Sequence, residues 1–161
     1  MRRQLRGFIN TYLTALQHEP LIAESLEIET RDFRIAGLGV ISGMFYSSRV
    51  AKDRIFLLRK EFYGKEYRKH PFWKYVDPEH PHVLESMPKT FCITSEGDFL
   101  RSNTHSFVSA MKKAGKSVTL LNYPDKSLQH DFVCMFPKVD ETQDSLDKLA
   151  AFWNSVEVES V

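Results

Sequence analysis

Residues 89–125, KTFCITSEGDFLRSNTHSFVSAMKKAGKSVTLLNYPD, decide the fold. The opening KTFCITSEGD is an apolar run ending in a turn, the pattern of a buried strand. From about Ser102 to Ala114 the period changes, and Thr104, Phe107, Val108 and Met111 fall on one face of a helix that Gly115 ends. KSVTLLNYP then reads as another strand, closed by Pro124. Strand, helix and strand at this spacing make a crossover unit, and a crossover of this kind joins parallel strands with a right hand.

The same alternation extends outward. Upstream, FRIAGLGVISG is a nearly continuous apolar run, expected as a strand buried on both faces. RVAKDRIFLLRKEFYG follows as a helix, capped by Ser47 or Ser48, with Ala51, Ile55, Leu58 and Phe62 on one face and Gly64 as its stop. A long loop, YRKHPFWKYVDPEHPHVLESMP, is punctuated by Pro71, Pro78, Pro81 and Pro88, which leaves room only for short turns such as one around Phe72 to Val76. At the amino end, Leu5, Phe8, Ile9, Tyr12, Leu13 and Leu16 form the stripe of a core-facing helix, and Leu146, Leu149, Ala150 and Trp153 give the closing helix its stripe. The expectation is an α/β fold of about three parallel strands with helices packed on the sheet, residues 1–161 forming a single partial domain.

Composition excludes several classes. At 161 residues, 42% hydrophobic and net charge +1, the chain can bury a real core and carries no basic surplus that would point to nucleic acid. No apolar run reaches the roughly 18 residues of a membrane span, and the amino end has no h-region. Arg2, Arg3 and Arg6 with no acid before Glu19 suit a transit peptide, but the core-helix stripe over the same residues is the simpler account. Cys92 and Cys134 both lie in apolar runs, which fits buried, reduced thiols in a cytoplasmic protein.

Loops at the carboxyl ends of parallel strands converge, and two chemically able residues sit there. Asp98 follows the second strand, and His130, in LQHDF, follows the third. An aspartate accepting the Nδ1 proton would fix the tautomer and leave Nε2 to take a proton from a hydroxyl. Taken singly, each residue is as readily a turn former or a packing residue; their joint placement is what suggests catalysis.

From about Phe33 to Trp153 the chain resembles the carboxyl-terminal half of an α/β-hydrolase, in the esterase and lipase branch related to hormone-sensitive lipase. IAGLGVISGMF resembles the strand after the nucleophile region, and EFYGKEYRKHPFWKYVDPEHPHVLESMPKTFCITSEGD the approach to the acid strand. GDFLRSNTHSFVSAMKKAGKSVTLLNYPD resembles the acid loop, helix and strand, and LQHDF the His-x-aromatic element. FINTYLTALQ resembles the later part of the helix that follows the nucleophile. The resemblance implies Asp98 as catalytic acid and His130 as base, with Asp131 where glycine is common. It further implies a carboxylic ester hydrolase acting on small-molecule esters, with no cofactor.

One component is missing. Such enzymes hold their serine in G-x-S-x-G, whose small residues permit a strained strand-to-helix turn, and this sequence has neither that motif nor an H-G-G-G-type loop. The resemblance places both upstream of Met1. Ser42 has the right order before Asp98 and His130, but Val40 and Met44 stand where the turn needs small residues. Cys134 has apolar neighbours and is expected as a packed core thiol. Glu79, His80, His82 and Glu85 lack metal-ligand spacing, so no metal is expected, and His105 is expected on the exposed side of its helix. Phe72, Trp73 and Tyr75 would either line a pocket or anchor the loop. The strand near Ile35 to Ile41 has no evident partner on one side, so a second copy or a complementing chain could pair there, and a non-catalytic interaction module is the alternative to the enzyme.

Overall fold

The computed structural model describes residues 20–27, 29, 35–46 and 66–156. The expected helices at Leu5 to Leu16 and from Ser47 or Ser48 to Gly64 lie outside the described residues. The described residues fall into two compact units, one drawn from 20–29, 44–46 and 66–87, the other from 35–43 and 88–156.

The larger unit is built on three parallel strands, β1 (Gly37–Ile41), β2 (Lys89–Ser95) and β3 (Val118–Tyr123), in the order β1-β2-β3. Gly37 pairs with Lys89 and Ile41 with Ile93 on one side of β2, while Thr90 pairs with Val118 and Ser95 with Tyr123 on the other. β2 is therefore central, and all its residues from Thr90 to Ser95 are buried. An unbroken apolar run is what a strand covered on both faces requires. β1 departs from that expectation: Gly37 and Leu38 are buried, but Gly39, Val40 and Ile41 are only half-buried. Among the described residues it pairs on one side only, and an edge position leaves part of its surface uncovered.

Between β2 and β3 runs α3 (Arg101–Lys113), numbered after two short helices of the other unit, and it packs against both strands. Thr104, Phe107, Val108 and Met111 are all buried, the stripe read from the sequence, and Gly115 follows at φ +70. Lys116 N–H donates to Met111 C=O across this turn, so glycine ends the helix by adopting a left-handed conformation without a Cβ penalty.

Two further helices close the unit. α4 (Phe132–Met135) is a single turn, and α5 (Asp140–Asn154) lies over the sheet. Phe91 and Ile93 of β2 meet Leu128, Phe132, Val133 and Phe152 in the core, with Ile41, Leu121, Tyr123, Leu149 and Val156 at its margin. Each large side chain fully buried there contributes about 1.5–3 kcal/mol.

The face α5 presents differs from the expected stripe. Thr142, Ser145 and Phe152 are buried and Leu149 partly so, while Leu146, Ala150 and Trp153 are exposed. The helix is turned by about one residue because Ser145 Oγ donates to Tyr123 Oη at 3.1 Å, fixing a polar residue inward. Tyr123 Oη in turn donates to Asp144 Oδ2 at 2.6 Å. Cys134 also departs from expectation: Phe132 and Val133 take the inward face of the single turn, and the Cys134 thiol is exposed. Cys92 is fully buried on the central strand, and burial pushes its thiol up to about 12.

In the smaller unit, α1 (Pro20–Ser25) buries Ile22 and Ala23 and packs against a 3-10 helix at Pro71–Tyr75. His70 Nδ1 accepts from Phe72 N–H at 3.2 Å and caps that turn. Phe72 and Tyr75 are buried, so they serve as anchors of the loop. α2 (Pro81–Ser86) starts on a proline and buries Val83. Among the described residues no helix is long and apolar enough to cross a membrane.

Candidate active site

The carboxyl ends of all three strands carry polar residues. Ser42 follows β1 directly, Asp98 stands three residues beyond β2, and His130 lies on the loop after β3. One feature extends the sheet past its named strands: an isolated parallel bridge joins Gly97 to Gln129. This bridge sets the two loops side by side, one residue before Asp98 and one before His130. Ser95 Oγ reinforces it by donating to Leu128 C=O at 2.6 Å.

A side chain at position 97 could not be accommodated. A Cβ there would lie 2.3 Å from Lys126 O and 2.5 Å from Leu128 O, both main-chain atoms. Glycine is thus what lets the β3 loop lie against the end of β2.

At this junction Asp98 Oδ1 meets His130 Nδ1 at 2.9 Å. The carboxylate is buried, with 0% of its side chain exposed, and is held by two further donors. Leu100 N–H donates to Oδ1 at 2.8 Å, and Thr94 Oγ1 donates to Oδ2 at 3.0 Å. A buried carboxylate is tolerable when its lone pairs are met this way. Thr94 is itself fully buried, so the acid is fastened to the central strand.

The imidazole is 29% exposed, and its orientation leaves Nε2 away from Asp98. Nε2 faces Asp131 Oδ2 at 3.4 Å. Phe99, which is 67% exposed, sets its ring 4.5 Å from the imidazole, tilted by 43°. Asp131 adopts φ 57 and ψ 27, a left-handed conformation that glycine takes freely and aspartate takes at some cost. Its N–H donates to Ser42 Oγ at 3.1 Å.

Ser42 is buried and also left-handed, at φ 50. Its Oγ is bonded to the main chain of residue 131 rather than to the imidazole. Nothing in the local pattern of residues marks Thr94, Phe99 or Ser42 for these contacts. Only the glycine habit at position 131 hinted at the left-handed turn.

Other sequence candidates fall elsewhere. Glu79 accepts from Tyr46 Oη at 2.8 Å, and the His80 and His82 rings stack at 5.3 Å. No group of three or more metal-ligating side chains occurs among the described residues. His105 is half-buried rather than exposed, with Nε2 3.5 Å from Asn122 Oδ1, because the end of β3 approaches that side of α3.

A family model described as the alpha/beta hydrolase fold matches residues 45–134, more than half of the chain. The chain belongs to the alpha/beta hydrolase fold family. Among solved structures it is similar to esterase B from Lactobacillus rhamnosis, with TM-score 0.79 at 10% identity over 93% of this chain and 50% of that one. An esterase from Pyrobaculum calidifontis gives TM-score 0.59 at 18% identity, covering 92% and 48%. A fungal esterase from Rhizomucor miehei gives 0.55 at 15% identity, covering 89% and 48%. This alpha/beta hydrolase chain thus spans about half the length of the structures it matches. No curated protein sequence matches it significantly.

Proposed function

We propose that the chain is the acid-and-base part of a serine carboxylic ester hydrolase. The observation that carries this reading is the buried Asp98 carboxylate meeting His130 Nδ1 at 2.9 Å, at the carboxyl ends of adjacent parallel strands. Asp98 would hold the ring in one tautomer and stabilise its charged form. His130 Nε2 would take the proton of a serine hydroxyl as that oxygen attacks an ester carbonyl, then give it to the departing alcohol. A water deprotonated by the same nitrogen would release the acid.

The serine and the oxyanion donors are supplied by residues outside these 161, since no G-x-S-x-G or H-G-G-G-type segment is present in them. Small to medium carboxylic esters are the substrate class. The two reduced cysteines fit a cytoplasmic setting.

The test pairs two preparations, using a p-nitrophenyl acyl ester and a fluorophosphonate probe. The 161-residue chain alone is expected to show no turnover and no labelling. Expressed with the coding region immediately upstream, it should turn over the ester and take the label at a serine, and both His130→Ala and Asp98→Ala should suppress turnover. Turnover by the chain alone that Ser42→Ala abolishes would overturn the assignment.

A second reading, a non-catalytic module that recruits a second copy or a complementing chain along β1, is favoured by one observation. Among the described residues β1 pairs on one side only, and Trp153 beside it is 44% exposed. A module freed from catalysis has no physical need for a buried carboxylate aimed at an imidazole, and that favours the enzyme.

A further inference from the structure

We propose that Ser42 is a positioning residue for the base: from the end of β1 its hydroxyl holds the main chain of residue 131 and so fixes the peptide that follows His130. This inference rests on the assignment of His130 as base.

β1 and β3 flank β2 and do not pair with each other, so nothing in the ladder ties the end of one to the loop of the other. A side chain does. Asp131 N–H donates to Ser42 Oγ at 3.1 Å, across 89 residues of chain. The segment around His130 is thereby tied to all three strand ends, each time by a different bond. Gln129, the residue before it, bridges to Gly97 beyond β2. The ring itself meets Asp98 at 2.9 Å. Asp131, the residue after it, is held from β1. Bonds on residue 129 and on the ring still leave the peptide between 130 and 131 free to turn, and the Ser42 hydroxyl closes that freedom.

The hydroxyl is mounted firmly enough to do this. Ser42 N–H donates to Ile93 C=O at 2.9 Å, which carries the β1–β2 ladder one residue past β1, and the side chain is buried, with the residue 5% exposed. Its partner needs an acceptor: Asp131 immediately precedes α4, so its N–H has no carbonyl to meet inside that helix.

Backbone conformation shows that the hydroxyl, not the turn, is what position 42 requires. Among the described residues three non-glycine residues have positive φ, and two of them, Ser42 at 50 and Asp131 at 57, are the two ends of this one bond. Glycine takes that conformation freely, whereas a residue with a Cβ takes it at a cost. A serine there accepts the cost and gains only its Oγ, which is spent on the loop of the base. Local strain of this kind is kept where a site needs it. Ser42 thus acts through residue 131 and touches no reacting atom.

Ser42→Gly separates the two contributions, because it removes the hydroxyl and relieves the turn. The folded 161-residue chain gives the first readout. In the parent the Asp131 amide should be protected from hydrogen exchange. In Ser42→Gly that amide should exchange about fivefold faster, the weight of one hydrogen bond, and the nitrogen-15 signals of the His130 ring should move. The melting midpoint should stay within about 4 °C of the parent, since the lost bond and the relieved turn oppose each other. An Asp131 amide as exposed in the parent as in an unfolded chain overturns the proposal, and this holds even where the variant fails to fold. His130 ring signals that do not move in the folded variant overturn it too. The second readout uses the chain expressed with its upstream coding region: Ser42→Gly should lower kcat on the p-nitrophenyl ester about tenfold and leave KM unchanged, the mark of a loosened base. A hydroxyl that only stabilised the fold would leave kcat of the folded enzyme as it was, and that result overturns the positioning role. Absence of ester turnover in that parent preparation would count against the esterase assignment alone, because the amide and ring measurements need no turnover.

Discussion

Replacing Gly97 by alanine is the sharpest single test of how the site is assembled. The added Cβ would meet Lys126 O at 2.3 Å and Leu128 O at 2.5 Å. Carbon atoms do not approach oxygen so closely, and neither oxygen can rotate away, since each belongs to the main chain of the loop that carries His130. The loop has to retreat by about 0.7 Å to open the shorter contact to 3.0 Å. That movement strains the Gly97–Gln129 bridge and the Ser95 to Leu128 hydrogen bond, and it draws His130 away from Asp98. Overpacking of this kind costs about 1–3 kcal/mol. For a chain of this length, at about 2–4 °C per kcal/mol, the midpoint of thermal unfolding should fall by about 2–12 °C.

Two other glycines serve as controls. At Gly39 a Cβ would sit 2.9 Å from Leu149 Cδ1, a side-chain tip that can turn aside, so Gly39→Ala should cost under about 1 kcal/mol. At Gly115 nothing lies within 4 Å, but φ is +70, so Gly115→Ala should cost about 1 kcal/mol from backbone conformation alone. Circular dichroism melts rank the three, and only Gly97→Ala should also shift the nitrogen-15 NMR signals of the His130 ring. A Gly97→Ala melt within about 1 °C of the parent, with those signals unmoved, would refute the account of how the loops are joined.

Three further outcomes follow from the described packing. Asp98→Ala leaves Leu100 N–H, Thr94 Oγ1 and His130 Nδ1 without their shared acceptor and should destabilise the chain by about 2–4 kcal/mol, read by urea titration. A maleimide at pH 7.5 should label the exposed Cys134 and spare the buried Cys92, giving one adduct per folded chain by mass spectrometry and two in denaturant. Because burial raises the Cys92 thiol from 9.0 to about 12, the folded chain keeps a proton that the unfolded chain loses across that window. Stability should therefore be intact below pH 9 and fall above it by up to about 1.4 kcal/mol per pH unit from this group, and Cys92→Ala should flatten the slope.

How much of this was legible in the sequence depends on what kind of force sets each feature. β2, α3 and β3 were legible because burial on both faces of a central strand and on one face of a helix leaves apolar residues at fixed periods. The nearness of Asp98 and His130 was legible because parallel neighbours bring their carboxyl-end loops together whatever the loops contain. α5 sits one residue out of phase with its apolar pattern. Apolar pattern alone favours Leu146 and Trp153, whereas the inward face is chosen by Ser145 bonding Tyr123, a partner 22 residues away that no local period records. Cys134 departs from its apolar surroundings for a related reason: a single helical turn is too short to show a period, and an apolar run does not say which of its residues faces outward.

The site repeats this division at smaller scale. Which residue types stand at the strand ends is written in the chain, but which atom of Asp131 faces which nitrogen depends on a left-handed turn held by a serine 89 residues earlier. Glycine at position 131 would reach the same turn without strain and without a carboxylate. Choosing aspartate there thus keeps the turn and adds a carboxylate, whose Oδ2 lies 3.4 Å from His130 Nε2.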